Sequence, residues 1–449
     1  MLIVLCAAAI VHAGETSAAR FVSGARVALI GDSITHGGSY HAVVYDYYLT
    51  RFPAEKIRFY NCGISGDSAS GANARFDWDI APKNMNAAAI MLAMNDVGRT
   101  YYGIDTPSDD ILAKRKAAID GHTNNMDRLI ERLTKNGVRV WVITPSPYDQ
   151  TVELKEKNLF GVNDALAQCG IYASSFAKRY ECTVIDFNGP MTRLNVEIQR
   201  TNAEATIIGR DRVHPGDLGH FLMAYWFLTA QGMQSTVADT EIDVQAKKAS
   251  AKNCVISDLT IGTDVSFTYR ASSLPFPVAG AYLASDMLLP ITRTLNVERL
   301  AVRGLASGEY TVTAENAVIG VYSAQVLADG VNIATNMAWA AQQQALSVHA
   351  LNWNRLNTER NLRTIAQVEH GMRRSGVDTS NDEAVQKYTD DLLSRTASSG
   401  NAAYYRSVVS NYYLMRPRAD EFTARTDELM DQCMLSNQPV ARKFVIRKM

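Results

Sequence analysis

The sequence predicts an α/β fold class for its first half, a parallel sheet with helices on both faces. Three observations carry this. From residue 26 to about 233, short apolar runs rich in β-branched residues alternate with longer helical patterns, as in repeated βαβ units. The runs break off at turns bearing Gly, Ser, Asn and Asp, which a parallel sheet gathers along one edge. Beyond Gln234 the alternation stops and a different texture begins.

Taken in order, strands are expected at 27–30, 57–62, 89–93, 138–144 and 183–187. Helices are expected at 40–52, 113–136 and roughly 161–179. Within the second helix Met126, Leu129, Ile130 and Leu133 share one face, and Gly137 stops it. Tyr45, Tyr47 and Tyr48 in the first helix read as core or rim packing, with substrate stacking as the alternative. Pro215 suits the first position of a last helix and biases His214 towards an extended backbone. Leu218, Phe221, Leu222, Tyr225 and Trp226 then form that helix's apolar face, and His220 reads as a packing or surface residue.

The α/β domain is accordingly assigned to 22–235. The polar, mixed-charge stretch 236–252 reads as a linker. A small β-rich module follows at 253–334, with strand-like runs at 255–261, 265–269, 297–302, 310–313 and 318–322 punctuated by Gly and Asn. The remainder, 335–449, reads as helical, with helices at 339–374, 382–395 and 420–434. Leu362, Ile365, Val368 and Met372 mark a core stripe there, and Trp339 and Trp353 read as core.

Composition narrows the function. The 449 residues are 47% hydrophobic and 20% charged, enough for large cores. Lys plus Arg number 45 against 46 Asp plus Glu, and this balance argues against a nucleic-acid partner. Residues 1–13 resemble the end of a secretory signal, with an apolar core at 2–10 and Val11-His12-Ala13 at a cleavage position. Export to the periplasm or the exterior is therefore expected. The apolar stretch is too short to span a bilayer. No CxxC pair occurs; Cys169 and Cys182 leave one disulfide open, with free buried thiols the alternative. No metal-ligand spacing, P-loop lysine or G-x-G-x-x-G pattern appears, so no cofactor or metal is expected.

Four separated blocks carry chemistry. Gly31-Asp32-Ser33-Ile34-Thr35-His36-Gly37-Gly38 places Ser33 where the first strand ends. Asn61-Cys62-Gly63-Ile64-Ser65-Gly66-Asp67-Ser68 follows the second strand, and its glycines let a backbone N–H approach a substrate closely. Ala93-Met94-Asn95-Asp96 follows the third and offers the Asn95 amide. Asp211-Arg212-Val213-His214 precedes the last helix. A serine nucleophile needs a base, supplied by His214, and a carboxylate to orient that base, supplied by Asp211. An oxyanion formed on attack would meet the Ser33 and Gly66 N–H groups and the Asn95 side chain. Asp32 and Asp96 read as structural. Alone, each block has a bland reading, Ser33 as a helix cap above all.

In order and spacing the four blocks resemble the GDSL, or SGNH, hydrolase family over about residues 24–234. The resemblance implies a three-layer α/β/α, flavodoxin-like domain. It further implies Ser33 as nucleophile, Asp211 and His214 as its partners, and Ser33, Gly66 and Asn95 as the oxyanion hole. The family's third block usually starts with Gly where this chain has Ala93, which bears on local backbone shape. An exported member with an appended β-module is similar to carbohydrate O-acetylesterases, so the expected substrate is an O-acyl, in particular O-acetyl, ester of carbohydrate. Two alternatives stand beside it: a lysophospholipase or thioesterase acting on longer acyl chains, and a non-catalytic glycan-binding module.

Overall fold

The computed structural model describes residues 19–449, so the leader expected at 1–13 lies outside the described residues. Five strands, β1 (Arg26–Gly31), β2 (Arg58–Gly63), β3 (Ala87–Met91), β4 (Arg139–Ile143) and β5 (Thr183–Ile185), pair in parallel in the order β2-β1-β3-β4-β5. Val27, Ala28, Leu29 and Ile30 are wholly buried. A strand covered on both faces has no solvent side, which is why these runs are continuous rather than alternating. The chain leaves β1 towards β2 on one side and returns to β3 on the other. The carboxyl ends of β1 and β3 therefore flank the switch point where ligands bind in such sheets.

Helices α1 (Ser33–Gly37), α2 (Ser39–Arg51), α3 (Ala69–Ala74), α4 (Asp109–Lys135), α5 (Val162–Tyr180), α6 (Asn188–Gln199) and α7 (Asp217–Ala230) complete the domain. α2 packs on α7, and α4 on α3 and α5, giving the outer layers. Tyr45, Tyr47 and Tyr48 are core residues, with hydroxyls donating to Ile57 O (2.8 Å), Gln234 O (2.7 Å) and Gln231 Oε1 (2.9 Å). Pro215 does not open α7. It sits in an isolated bridge with Ile208, and Gly216, extended, caps the helix two residues later than expected.

The expected linker at 236–252 is instead two strands, β6 (Thr236–Asp243) and β7 (Lys248–Lys252). The polar residues of β6 alternate with buried Ala238, Thr240 and Ile242, and Asp239 and Glu241 ion-pair with Arg299 and Arg303 of a neighbouring strand. A charged, half-buried strand thus looks like solvent-exposed chain in the sequence. Beyond it lie β8 (Cys254–Ile261), β9 (Asp264–Ala271), β10 (Val297–Arg303), β11 (Glu309–Ala314), β12 (Ala317–Ser323) and β13 (Val331–Asn332), with short helices α8 (Tyr282–Asp286), α9 (Ile291–Leu295) and α10 (Ala324–Asp329). One sheet runs β13-β10-β6-β7; the other runs β12-β11-β14-β9-β8. Its centre, β14 (Arg442–Lys448), is the last strand of the chain, so the β-rich part is not closed at 334.

Between them lie α11 (Ala340–Arg374), α12 (Asp382–Thr396), α13 (Ala402–Met415) and α14 (Ala419–Ser436), of which α13 was not expected. Ile365, Val368 and Met372 of α11 pack on Val385 of α12 and Val408 and Tyr412 of α13. The opposite face of α11 carries Arg355, Glu359, Arg363 and His370 into the α/β domain. Among the described residues no helix is long and apolar enough to cross a membrane, and Cys62, Cys169, Cys182, Cys254 and Cys433 are free thiols.

Candidate active site

At the end of β1 the chain turns directly into α1, whose cap is Asp32: its carboxylate accepts the Ile34 N–H at 3.0 Å. Ser33 is the first helical residue, so its own N–H is one of the donors a helix start leaves without an intrahelical partner. Its Oγ lies 2.7 Å from His214 Nε2. His214 Nδ1 in turn lies 2.5 Å from Asp211 Oδ2. A proton on Nδ1 shared with Asp211 leaves Nε2 free to accept from the serine hydroxyl.

The Asp211-x-x-His214 spacing is closed by its own backbone. Asp211 Oδ1 accepts the N–H groups of Val213 and His214, each at 3.0 Å. Burial pushes the carboxyl up, but the bonds from the His214 ring and these two N–H groups outweigh it and hold Asp211 at about 2. The carboxylate is therefore ionised throughout the neutral range. Both side chains are about half exposed, 49% for His214 and 53% for Asp211, so the pair faces the solvent-open edge of the sheet.

The loop after β2 is pinned to this turn. Ile64 N donates to Gly31 O at 3.0 Å, and Asn61 Nδ2 donates to His36 O at 2.9 Å. His36 Nδ1 accepts from the Ser65 N–H (3.2 Å) and hydroxyl (3.1 Å). Burial, reinforced by Arg363, Arg360 and Arg75, lowers His36 to about 3, so it works as a neutral acceptor. Gly63 sits so close to α1 that a Cβ there would fall 2.2 Å from His36 N. Gly66 is exposed, has φ +81°, and has open space around the position of a Cβ. Asn95 Nδ2 donates to Asp67 O at 2.9 Å, which orients its amide over the same loop. Asp96 is structural, accepting the Ala69 N–H at 2.9 Å.

Ala93 is the departure that matters locally. It is fully buried with φ +131°, a conformation costing an L residue about 1–3 kcal/mol, and its carbonyl accepts the N–H groups of Asp96 and Val97. Ala93→Gly is expected to remove that strain and give back about 0.5–1 kcal/mol in chain entropy. The net gain of about 1 kcal/mol should read as a higher unfolding midpoint, with ester hydrolysis unchanged.

The structure thus brings Ser33, His214 and Asp211 into one relay and sets Asn95 and the loop bearing Gly66 around the Ser33 turn. Sequence reasoning missed what holds that loop from behind. Arg75 Nε donates to Asp67 Oδ2 (2.7 Å), Nη1 to Asp79 Oδ2 (2.5 Å) and Nη2 to Cys62 O (2.7 Å), all buried. From α11, Arg363 Nη1 reaches Asp79 Oδ1 at 2.8 Å, His370 Nε2 lies 3.5 Å from Asp67 Oδ1, and Arg360 Nε donates to Gly37 O at 2.7 Å. The available signal was the charged stripe Arg355, Glu359, Arg363, His370 at helical spacing.

A family model described as the GDSL-like Lipase/Acylhydrolase family matches residues 29–222, a span holding all four blocks. The chain is 26% identical over 227 residues to an acetylxylan esterase of Geobacillus stearothermophilus, covering 47% of this chain and 96% of that protein. The solved structure of BT4096, a gut microbial diltiazem-metabolizing enzyme, is 31% identical and covers 97% of this chain and 100% of its own, with a TM-score of 0.86. The β sheets and C-terminal helices are therefore shared with that structure, not only the α/β domain.

Proposed function

Because the chain belongs to the GDSL-like lipase/acylhydrolase family, we propose that it is a serine esterase removing small acyl groups, acetyl above all, from carbohydrate. The observation that carries the reading is the unbroken relay, Ser33 Oγ to His214 Nε2 at 2.7 Å and His214 Nδ1 to Asp211 Oδ2 at 2.5 Å.

In the proposed reaction Ser33 Oγ attacks the ester carbonyl as His214 Nε2 takes its proton. Asp211 stabilises the imidazolium so formed. The negative charge on the carbonyl oxygen is met by the Ser33 and Gly66 N–H groups and the second hydrogen of the Asn95 amide, the first being held by Asp67 O. Collapse breaks the C–O bond, and His214 returns the proton to the departing alcohol. Water then attacks the acyl-serine by the same route, releasing the acid and restoring Ser33. No cofactor is needed for any step.

Support for the acetyl group comes from the relatives. One of them, 26% identical over 227 residues, is an acetylxylan esterase. A polysaccharide substrate fits an enzyme outside the cytoplasm, in keeping with the leader-like residues at 1–13. A p-nitrophenyl ester series from acetate to octanoate tests the reading, together with acetate release from acetylated xylan. Rates should peak at acetate and fall with chain length. A rate that climbs towards octanoate would sink the acetyl reading in favour of a lysophospholipase or thioesterase.

A further inference from the structure

The Asn95 amide is held at both ends. Nδ2 donates to Asp67 O at 2.9 Å, and Oδ1 accepts from Arg99 Nη2 at 3.3 Å. One bond leaves an amide free to turn about it; a second at the opposite atom fixes the plane. The reversed amide is excluded by the same two partners. It would set Oδ1 against the Asp67 carbonyl, two acceptors together, and the NH₂ against the guanidinium, two donors together. With Oδ1 on Arg99 and one N–H on Asp67 O, the other N–H has a single direction.

The chain is shaped to bring Arg99 back over Asn95, four residues earlier. Between them Gly98 has φ +68°, and a Cβ there would fall 2.6 Å from the Tyr101 ring, so only glycine lets the chain double back. Arg99 then opens a single 3-10 turn, Arg99–Tyr101. That turn is tied to α4, where Arg115 donates to Tyr101 O from Nε (2.9 Å) and Nη2 (2.7 Å). Arg99 itself is half-buried. Among the described residues its guanidinium has no other hydrogen-bond or ion-pair partner, and no carboxylate offsets its charge. A cation on the carbonyl end of an amide draws electrons from the N–H end, which makes that N–H a stronger donor.

Building on the esterase reading, we propose that Arg99 is a positioning residue of the oxyanion hole. It fixes the plane of the Asn95 amide and, through that amide, strengthens the hydrogen bond to the carbonyl oxygen as negative charge develops there. No proton moves to or from Arg99. The benefit is small for the neutral ester and large for the tetrahedral oxyanion, so it belongs to kcat rather than to KM.

The test is steady-state hydrolysis of p-nitrophenyl acetate by the full chain carrying R99M, R99K, N95A and the R99M/N95A pair, with unfolding midpoints measured alongside. R99M keeps the apolar stem and removes the donors. It should lower kcat about tenfold while KM and the midpoint stay at the wild-type values. R99K, whose ammonium still donates to Oδ1, should recover part of the rate. On the N95A background R99M should cost about twofold at most, because the group through which Arg99 acts is gone. The proposal is overturned if R99M keeps the wild-type kcat, if its loss appears in KM, or if its midpoint falls in step with its rate. It is equally overturned if R99M costs as much on the N95A background as on the wild type, which would make Arg99 a direct substrate contact or a support of the turn. Any of these results with an active wild type leaves the esterase reading standing; a wild type inert on p-nitrophenyl acetate strikes that reading, and the proposal with it.

Discussion

Ser33→Ala is expected to lower kcat on p-nitrophenyl acetate by about 10⁴–10⁶, and His214→Ala by a similar factor. The two changes should not add. With the nucleophile gone the base has no proton to take, and with the base gone the hydroxyl is a poor nucleophile at neutral pH, so the double variant should match either single one. Asp211→Asn should cost less than either. With its oxygen kept on the Val213 and His214 N–H groups, the amide turns its NH₂ to His214 Nδ1 and favours the wrong ring tautomer, but the half-exposed pair, 49% and 53%, lets water supply part of the lost stabilisation. Asn95→Ala should cost least, about 10²–10³, because it removes one of three oxyanion donors and leaves the relay intact. Steady-state kinetics on the four single variants and the double one, with unchanged thermal unfolding as the fold control, checks this ranking. If Ser33→Ala keeps wild-type activity, the nucleophile is elsewhere. If the double variant is far worse than both singles, Ser33 and His214 are not one unit.

The sequence made the α/β half legible because both its signals were local. Val27 to Ile30 read as a buried strand from four consecutive residues, and the Asp211-x-x-His214 pair is closed by bonds within its own four residues. The strand at 236–243 did not read, because its burial depends on Arg299 and Arg303 some 60 residues later neutralising Asp239 and Glu241. The last strand, 442–448, escaped for a related reason: its partners, β9 and β11, are more than 100 residues upstream. On α11 the apolar residues Ile365, Val368 and Met372 were read correctly as core, yet they face α12 and α13. The charged face, which meets the active-site loop, looks in sequence like an ordinary solvated surface. Only the fold shows that Arg363 and His370 meet Asp79 and Asp67 across about 300 residues.

Arg75→Ala should produce the largest loss of stability, about 3–5 kcal/mol, because it removes the cation between two buried carboxylates. Arg75 is wholly buried and spans Asp67, Asp79 and the Cys62 carbonyl, so no water can replace it without opening the core. Arg363 still faces Asp79, but Asp67 keeps only His370, at 3.5 Å. Arg75→Lys should recover part of the loss, since a single ammonium meets one carboxylate well but not both and the carbonyl. The pH dependence follows from the carboxylates. Burial pushes Asp67 and Asp79 up, but Arg75 acting on both, with His370 on Asp67 and Arg363 on Asp79, leaves both below the usual carboxylate value, Asp79 at about 2. A carboxylate depressed in the folded state binds fewer protons there than in the unfolded chain, so its stabilisation is fully present above about pH 4 and fades as the pH falls towards 2. The gap in unfolding free energy between wild type and Arg75→Ala should therefore be widest at neutral pH and narrow across that acid window, as urea unfolding at a series of pH values would show. A gap that is flat from pH 7 to pH 2 would mean that Arg75 acts by packing rather than by charge. Because Asp67 O holds the Asn95 amide, the folded fraction of Arg75→Ala should also turn over more slowly, with kcat falling more than KM rises.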